Sequence, residues 1–129
     1  MAESNQTSEA IVIEVQTKFE PARSDPKLNR WFFAYHVRIA NEGPKPVKLL
    51  SRSWIITDAQ GRVEQVQGPG VVGEQPVIEP GEAFEYTSGC PLTTPFGSMH
   101  GTYEMTDEHG ERFHVPIPAF ALRLPGTMN

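Results

Sequence analysis

The chain has 129 residues, a formal net charge of -5 and one cysteine, Cys90. A single domain of this size buries enough apolar surface to fold without disulfides or a structural metal, and one cysteine permits no intramolecular disulfide. The acidic balance argues against nucleic acid as the main partner, because binding a phosphate backbone needs a basic surface. No eighteen apolar residues run together to form a membrane-crossing helix.

The beginning MAESNQTSEA has neither a basic segment nor an apolar core of the secretory kind, so the expected location is cytoplasmic. Charge is unevenly spread. From Arg23 to Arg52 seven basic residues face only Asp25 and Glu42, a local balance of +5. From Val63 to Glu111 there is no lysine or arginine and there are nine acidic residues. Two readings follow: charges that mix once strands pair, or a polarised surface that docks a charged partner.

A period of two dominates the chain. In AIVIEVQTKFE, Ile11, Ile13, Val15, Thr17 and Phe19 share one face, as a half-buried strand requires. WFFAYHVRIAN repeats this with Trp31, Phe33, Tyr35, Val37 and Ile39 inward and His36 and Arg38 outward, and NEGPKP ends it near Asn41. VKLLSRSWIITDA is a third strand with two possible registers. Either Leu50, Arg52, Trp54 and Ile56 face inward, or Leu49, Ser51, Ser53 and Ile55 do. The bulk of Trp54 favours the first, which leaves Arg52 partly buried and in need of a partner.

The segment Asp58 to Gly61 turns the chain into RVEQV as a hairpin. After QGPGVVGEQP, the pair Pro80-Gly81 makes a turn into AFEYTSGC, where Phe84 and Tyr86 share a face. MHGTYEMTDE puts Met99, Tyr103 and Met105 on one side, and DEHGE turns into RFHVPIPAFALRL. There Phe113, Val115 and Ile117 have odd parity and Phe120, Leu122 and Leu124 even parity. A bulge near Pro116 and Pro118 accounts for the switch, and the prolines mark an edge strand. Seven to eight short strands with turn signals between them define an all-β antiparallel sandwich. Its expected limits are 9–125, with a disordered segment at 1–8 and a flexible tail at 126–129.

Gly68, Gly70 and Gly73 have the spacing G-x-G-x-x-G of a dinucleotide phosphate turn. That turn needs a buried strand before it and a helix after it, whose amides and positive dipole end face the pyrophosphate. Here Pro76, Pro80 and Gly81 occupy the region where the helix would run. The neighbouring sequence also lacks a cation, so a phosphate would draw on Arg38 or Arg52 from other strands. A backbone nest without a helix stays open as an alternative. The favoured reading is structural: a tight crossing between sheets, with Val71 and Val72 pinning it to the core.

Other chemistry is sparse. His36, His100, His109 and His114 show no metal-site spacing, and only His100 and His114, with Glu104, could meet across paired strands. Asp107-Glu108 reads as turn chemistry. Cys90, before Pro91, reads as a small buried hydrophobe, because no second element of a nucleophilic triad is recognisable. No catalytic residue and no metal ligand is assigned.

The stretches SRSWIITD, GPGVVGEQP, PGEAFEYTSGC and GSMHGTYEM, with FHVPIPAFAL near the end, resemble the bacterial ApaG family, also called CorD. The resemblance runs from about Ile11 to Leu124. It implies a fibronectin type III-like, immunoglobulin-like sandwich. It also implies an indirect link to cobalt resistance and magnesium efflux, and a neighbouring gene for diadenosine tetraphosphate hydrolase. Related domains in F-box proteins and a DNA-polymerase-interacting protein imply protein binding, with the partner unidentified. The family's glycine motif falls on Gly68, Gly70 and Gly73, which implies weak pyrophosphate, nucleotide or divalent-cation binding as a second possibility.

Overall fold

The computed structural model describes residues 8–125. The expected N-terminal segment 1–8, apart from Ser8, and the tail 126–129 lie outside the described residues. Eight strands follow in order: β1 Ile11–Phe19, β2 Trp31–Asn41, β3 Val47–Asp58, β4 Val63–Pro69, β5 Val77–Ile78, β6 Ala83–Leu92, β7 Gly97–Thr106 and β8 Arg112–Leu122. Between β1 and β2 the prolines Pro21 and Pro26 each start a single 3-10 turn, where a missing amide costs nothing.

The strands form two antiparallel sheets packed as a sandwich. One has the order β1-β2-β6; the other has the order β4-β3-β7-β8, with β5 also paired to β3. Their inner faces meet in one core. From the smaller sheet come Phe33, Val37 and Ile39, and from the larger Leu49, Trp54, Met99, Tyr103, Met105 and Leu122, all nearly free of solvent contact. At 25 cal/mol per Å², such burial stabilises by about 1.5–3 kcal/mol for each large side chain. A hydrogen bond between the hydroxyls of Tyr86 on β6 and Tyr103 on β7 crosses the core and joins the sheets. Burial pushes both phenols well above their ordinary range.

The third strand reconciles its two registers. Leu49 pairs with Met105 but Ser51 pairs with Glu104, so Leu50 is an extra residue in β3. Val47 and Leu49 point inward before this bulge, and Trp54 points inward after it. Arg52 faces inward with Trp54 and is partly buried. The parity change in β8 has the same origin, since Met99 pairs with Phe120 and Gly101 with Ile117. As its prolines indicate, β8 is an edge strand.

Strand pairing interleaves the basic and acidic halves of the sequence. Arg38 on β2 lies 3.9 Å from both Glu14 on β1 and Glu85 on β6, and Arg112 on β8 lies 3.4 Å from Glu104 on β7. Exposed pairs of this kind contribute little to stability. Two carboxylates have a structural task instead. Asp58 accepts from the amides of Gln60 and Arg62, and Asp107 from those of His109 and Glu111.

Both carboxyls are held below their ordinary range. At Asp58, desolvation raises the value but is outweighed by the Arg62 and Gln60 amides and the Arg62 guanidinium. At Asp107 the Glu111 amide dominates. A carboxyl with a depressed folded value contributes stability that is complete above its unfolded value near 3.8 and is lost as pH falls through the folded value. Asp58→Asn and Asp107→Asn keep an acceptor oxygen and remove the titration. The double variant is expected to lose less stability than the parent between about pH 4 and pH 2, measured by urea denaturation at each pH.

Candidate functional site

The glycine segment takes its shape from β3. Gly68 belongs to β4 and pairs with Arg52. Beyond Pro69 the chain leaves the sheet, makes a tight turn over Val71–Glu74 and returns as β5 to the same edge of β3. The expected crossing between sheets is therefore not what these glycines do: β4 and β5 both pair with β3, and the passage to the other sheet comes later, through the Pro80-Gly81 turn.

In the turn, the amides of Val71 and Glu74 donate to each other's carbonyls at 2.8 and 2.9 Å. Val72 has φ 41° and Gly73 φ 83°. Positive φ at both central positions is the signature of a type I′ turn. Val71 is fully buried and anchors the turn, but Val72 is 55% exposed and does not pin it. A β-branched residue at positive φ is strained. Val72→Asn, which suits that position, is expected to stabilise the protein by about 1 kcal/mol in chemical denaturation.

Arg52 reaches this segment from the inner face. Its Nη1 donates to the Pro69 carbonyl at 3.1 Å and the Gly70 carbonyl at 3.0 Å. A Cβ on Gly68 would lie 3.0 Å from Nη1, so the glycine lets the guanidinium cross the strand closely. The structure thus brings Arg52 to Gly68 and Gly70, with Gly73 at the far end of the turn. Arg38 is not brought there; it lies on the smaller sheet among Glu14 and Glu85. The Gly70 amide is also committed, to the Leu50 carbonyl at 2.8 Å.

Beside Arg52 the two sheets part. Between the edges of β4 and β6 lies a cleft of about 240 Å³, lined by Tyr35, Arg52, Trp54, Glu64, Ser88 and Cys90 among others. The Trp54 Nε1 is buried with no hydrogen-bond partner among the described residues. Desolvation raises the Tyr35 phenol, partly offset by the Ser88 hydroxyl beside it. Neither Trp54 as an orphaned donor nor Ser88 as a cleft group was read from the sequence; the alternation of β6 carries the signal for Ser88, on the same face as Tyr86.

Cys90 is 3% exposed, and burial, with a contribution from Glu64, pushes its thiol up to about 11. At pH 8 the native thiol is expected to react with a disulfide reagent about a hundredfold more slowly than in the urea-unfolded chain, followed by release of the chromogenic thiolate. His100 and His114 do not meet: His114 pairs with Glu104, while His100 pairs with Ile55. Among the described residues no three His, Cys, Asp or Glu side chains are grouped to hold a metal, and no helix is long and apolar enough to cross a membrane.

These features define an antiparallel β-sandwich domain with a turn-bound arginine beside an inter-sheet cleft. The ApaG domain matches residues 21–107, and the chain belongs to the ApaG family. It is 55% identical over 112 residues to Protein ApaG of Acidithiobacillus ferrooxidans (strain ATCC 53993 / BNL-5-31), covering 87% of this chain and 88% of the relative. It is 54% identical over 121 residues to Protein ApaG of Paramagnetospirillum magneticum, covering 94% and 93%. A crystal structure of a Bordetella pertussis protein called ApaA superposes with a TM-score of 0.88 at 51% identity, over 91% of this chain and 95% of that one.

Proposed function

We propose that this ApaG domain is a non-enzymatic, cytoplasmic binding module that takes up an extended segment of a protein partner along the free edge of β4. The observation that carries this reading is the β4 edge itself. It ends the larger sheet, and the valines exposed around it, Val63, Val72 and Val77, are each more than half accessible. An open edge is a template for an added strand, whose backbone bonds give affinity and whose alternate side chains give specificity. The link to cobalt resistance and magnesium efflux implied by the resemblance is then exerted through that partner.

The alternative, a phosphate, nucleotide or divalent-cation sensor at Gly68–Gly73, ranks second. The amides of Gly70, Val71 and Glu74 already donate within the protein, and the nearby cation is held by loop carbonyls. The test is affinity capture from cytosol with the parent and with Val63→Lys/Val77→Lys, two exposed substitutions that blunt an edge. Proteins retained reproducibly by the parent and lost with the double variant, at equal melting temperature, support the reading. Identical capture by both chains, or capture by neither, overturns it.

A further inference from the structure

Arg52 is a partly buried cation with no carboxylate within 4.0 Å among the described residues; its acceptors are the carbonyls of Pro69 and Gly70, both taken by Nη1. A guanidinium offers five donors in a planar fork, so donors beyond those two bonds remain. It lines the cleft between the sheets together with Tyr35, Trp54 and Ser88.

We infer that the cleft between β4 and β6 binds a small monocarboxylate with an apolar body, its oxygens taken by Arg52 with Ser88 and Tyr35 beside them. The apolar lining of Trp54, Ile56, Val66 and Met99 suits the body of such a ligand. About 240 Å³ is room for roughly eight water-sized atoms at about 30 Å³ each, the size of hexanoate or benzoate. The one cation on the lining, set against the carboxylate of Glu64, cannot balance a phosphate dianion, so the charge limits the ligand to a single carboxylate. Arg52 is shared with the glycine turn, but the lining includes none of Gly68, Gly70 and Gly73, and the site does not depend on a strand-adding partner.

The test is an NMR titration of the full chain with hexanoate and benzoate, against hexanol and inorganic phosphate. The reporters are the indole Nε1–H of Trp54, assigned with Trp31→Phe, and the amides of Val66, Ser88 and Gly89. Saturable shifts with the carboxylates, at least about tenfold weaker with hexanol and with Arg52→Gln, are expected. Arg52 also ties the turn, so Ser88→Leu, which fills the cleft and leaves Arg52 in place, serves as a second variant and is expected to abolish binding. Absent saturation at about 20 mM, equal affinity for hexanol or phosphate, or binding that survives Ser88→Leu overturns the inference.

Discussion

Trp54→Ala is expected to lower the unfolding free energy by about 3–5 kcal/mol, measured by urea denaturation. Trp54 is 2% exposed and sits where the sheets meet. Its ring contacts Tyr35 of the smaller sheet at 5.4 Å, and Tyr103 and Phe120 of the larger at 6.2 and 5.8 Å, all close to edge-on. Such pairs add about 0.5–1.5 kcal/mol beyond their buried area, and alanine removes all three while leaving a cavity.

A domain stable by only about 5–15 kcal/mol loses a large share of that margin. One effect opposes the loss: the Trp54 Nε1 is buried without an acceptor among the described residues, so deleting it removes a desolvated donor. Trp54→Phe keeps most of the packing and removes the same donor, so it is expected to cost less than half as much as Trp54→Ala. A loss below about 1 kcal/mol for Trp54→Ala would mean that the sandwich closes over the cavity, contrary to the close packing of its core.

The strands were legible because each buries one face, which imposes an alternation that the chain shows openly. Of the expected inward residues of β2, Phe33, Tyr35, Val37 and Ile39 are buried, and Trp31 at the start of the strand is half-buried against the core. Ambiguity arose at bulges. β3 shows two parities because Leu50 is an extra residue, and a single-parity reading had to sacrifice either Leu49 or Trp54, although both are buried. In β8 two prolines advertised the same device, whereas nothing marks Leu50 in a run of β-branched and apolar residues.

The candidate site was less legible, because its parts are brought together by pairing across strands. That Arg52 needs a partner followed from its position beside Trp54. Which partner it takes did not, since the acceptors are backbone carbonyls and a carbonyl has no residue-type signal. Asn41 was overlooked for a similar reason. It reads as a turn residue, yet it is buried and its amide donates to the carbonyls of Lys45 and Ile78, tying the end of β2 to β5.

Gly70→Ala is expected to destabilise the protein by about 3 kcal/mol or more, the largest loss among the three glycines of the G-x-G-x-x-G spacing. Its φ is 60°, unfavourable for any side chain, and an added Cβ would collide with the Glu74 carbonyl oxygen and come within 2.9 Å of its carbon. That carbonyl accepts from the Val71 amide, so the collision would open the turn and release the anchor Val71. Gly73 has φ 83°, but among the described residues no atom beyond its chain neighbours lies within 4 Å of an added Cβ, so Gly73→Ala is expected to cost only the left-handed strain, about 1–2 kcal/mol.

Gly68 is in a strand, and its Cβ would meet the end of the Arg52 side chain at 3.0–3.3 Å, a group able to shift by a few tenths of an ångström. Gly68→Ala is therefore expected to cost least, under about 1 kcal/mol, with Arg52 as the residue that moves. Denaturation of the three variants gives the order directly. The order Gly70, Gly73, Gly68 follows from local geometry, and the turn accounts for Gly70 and Gly73 without a phosphate. If Gly68→Ala instead cost as much as Gly70→Ala, the Arg52 guanidinium would be fixed in place, and the spacing would owe its first glycine to the rigidity of the cation beside the cleft.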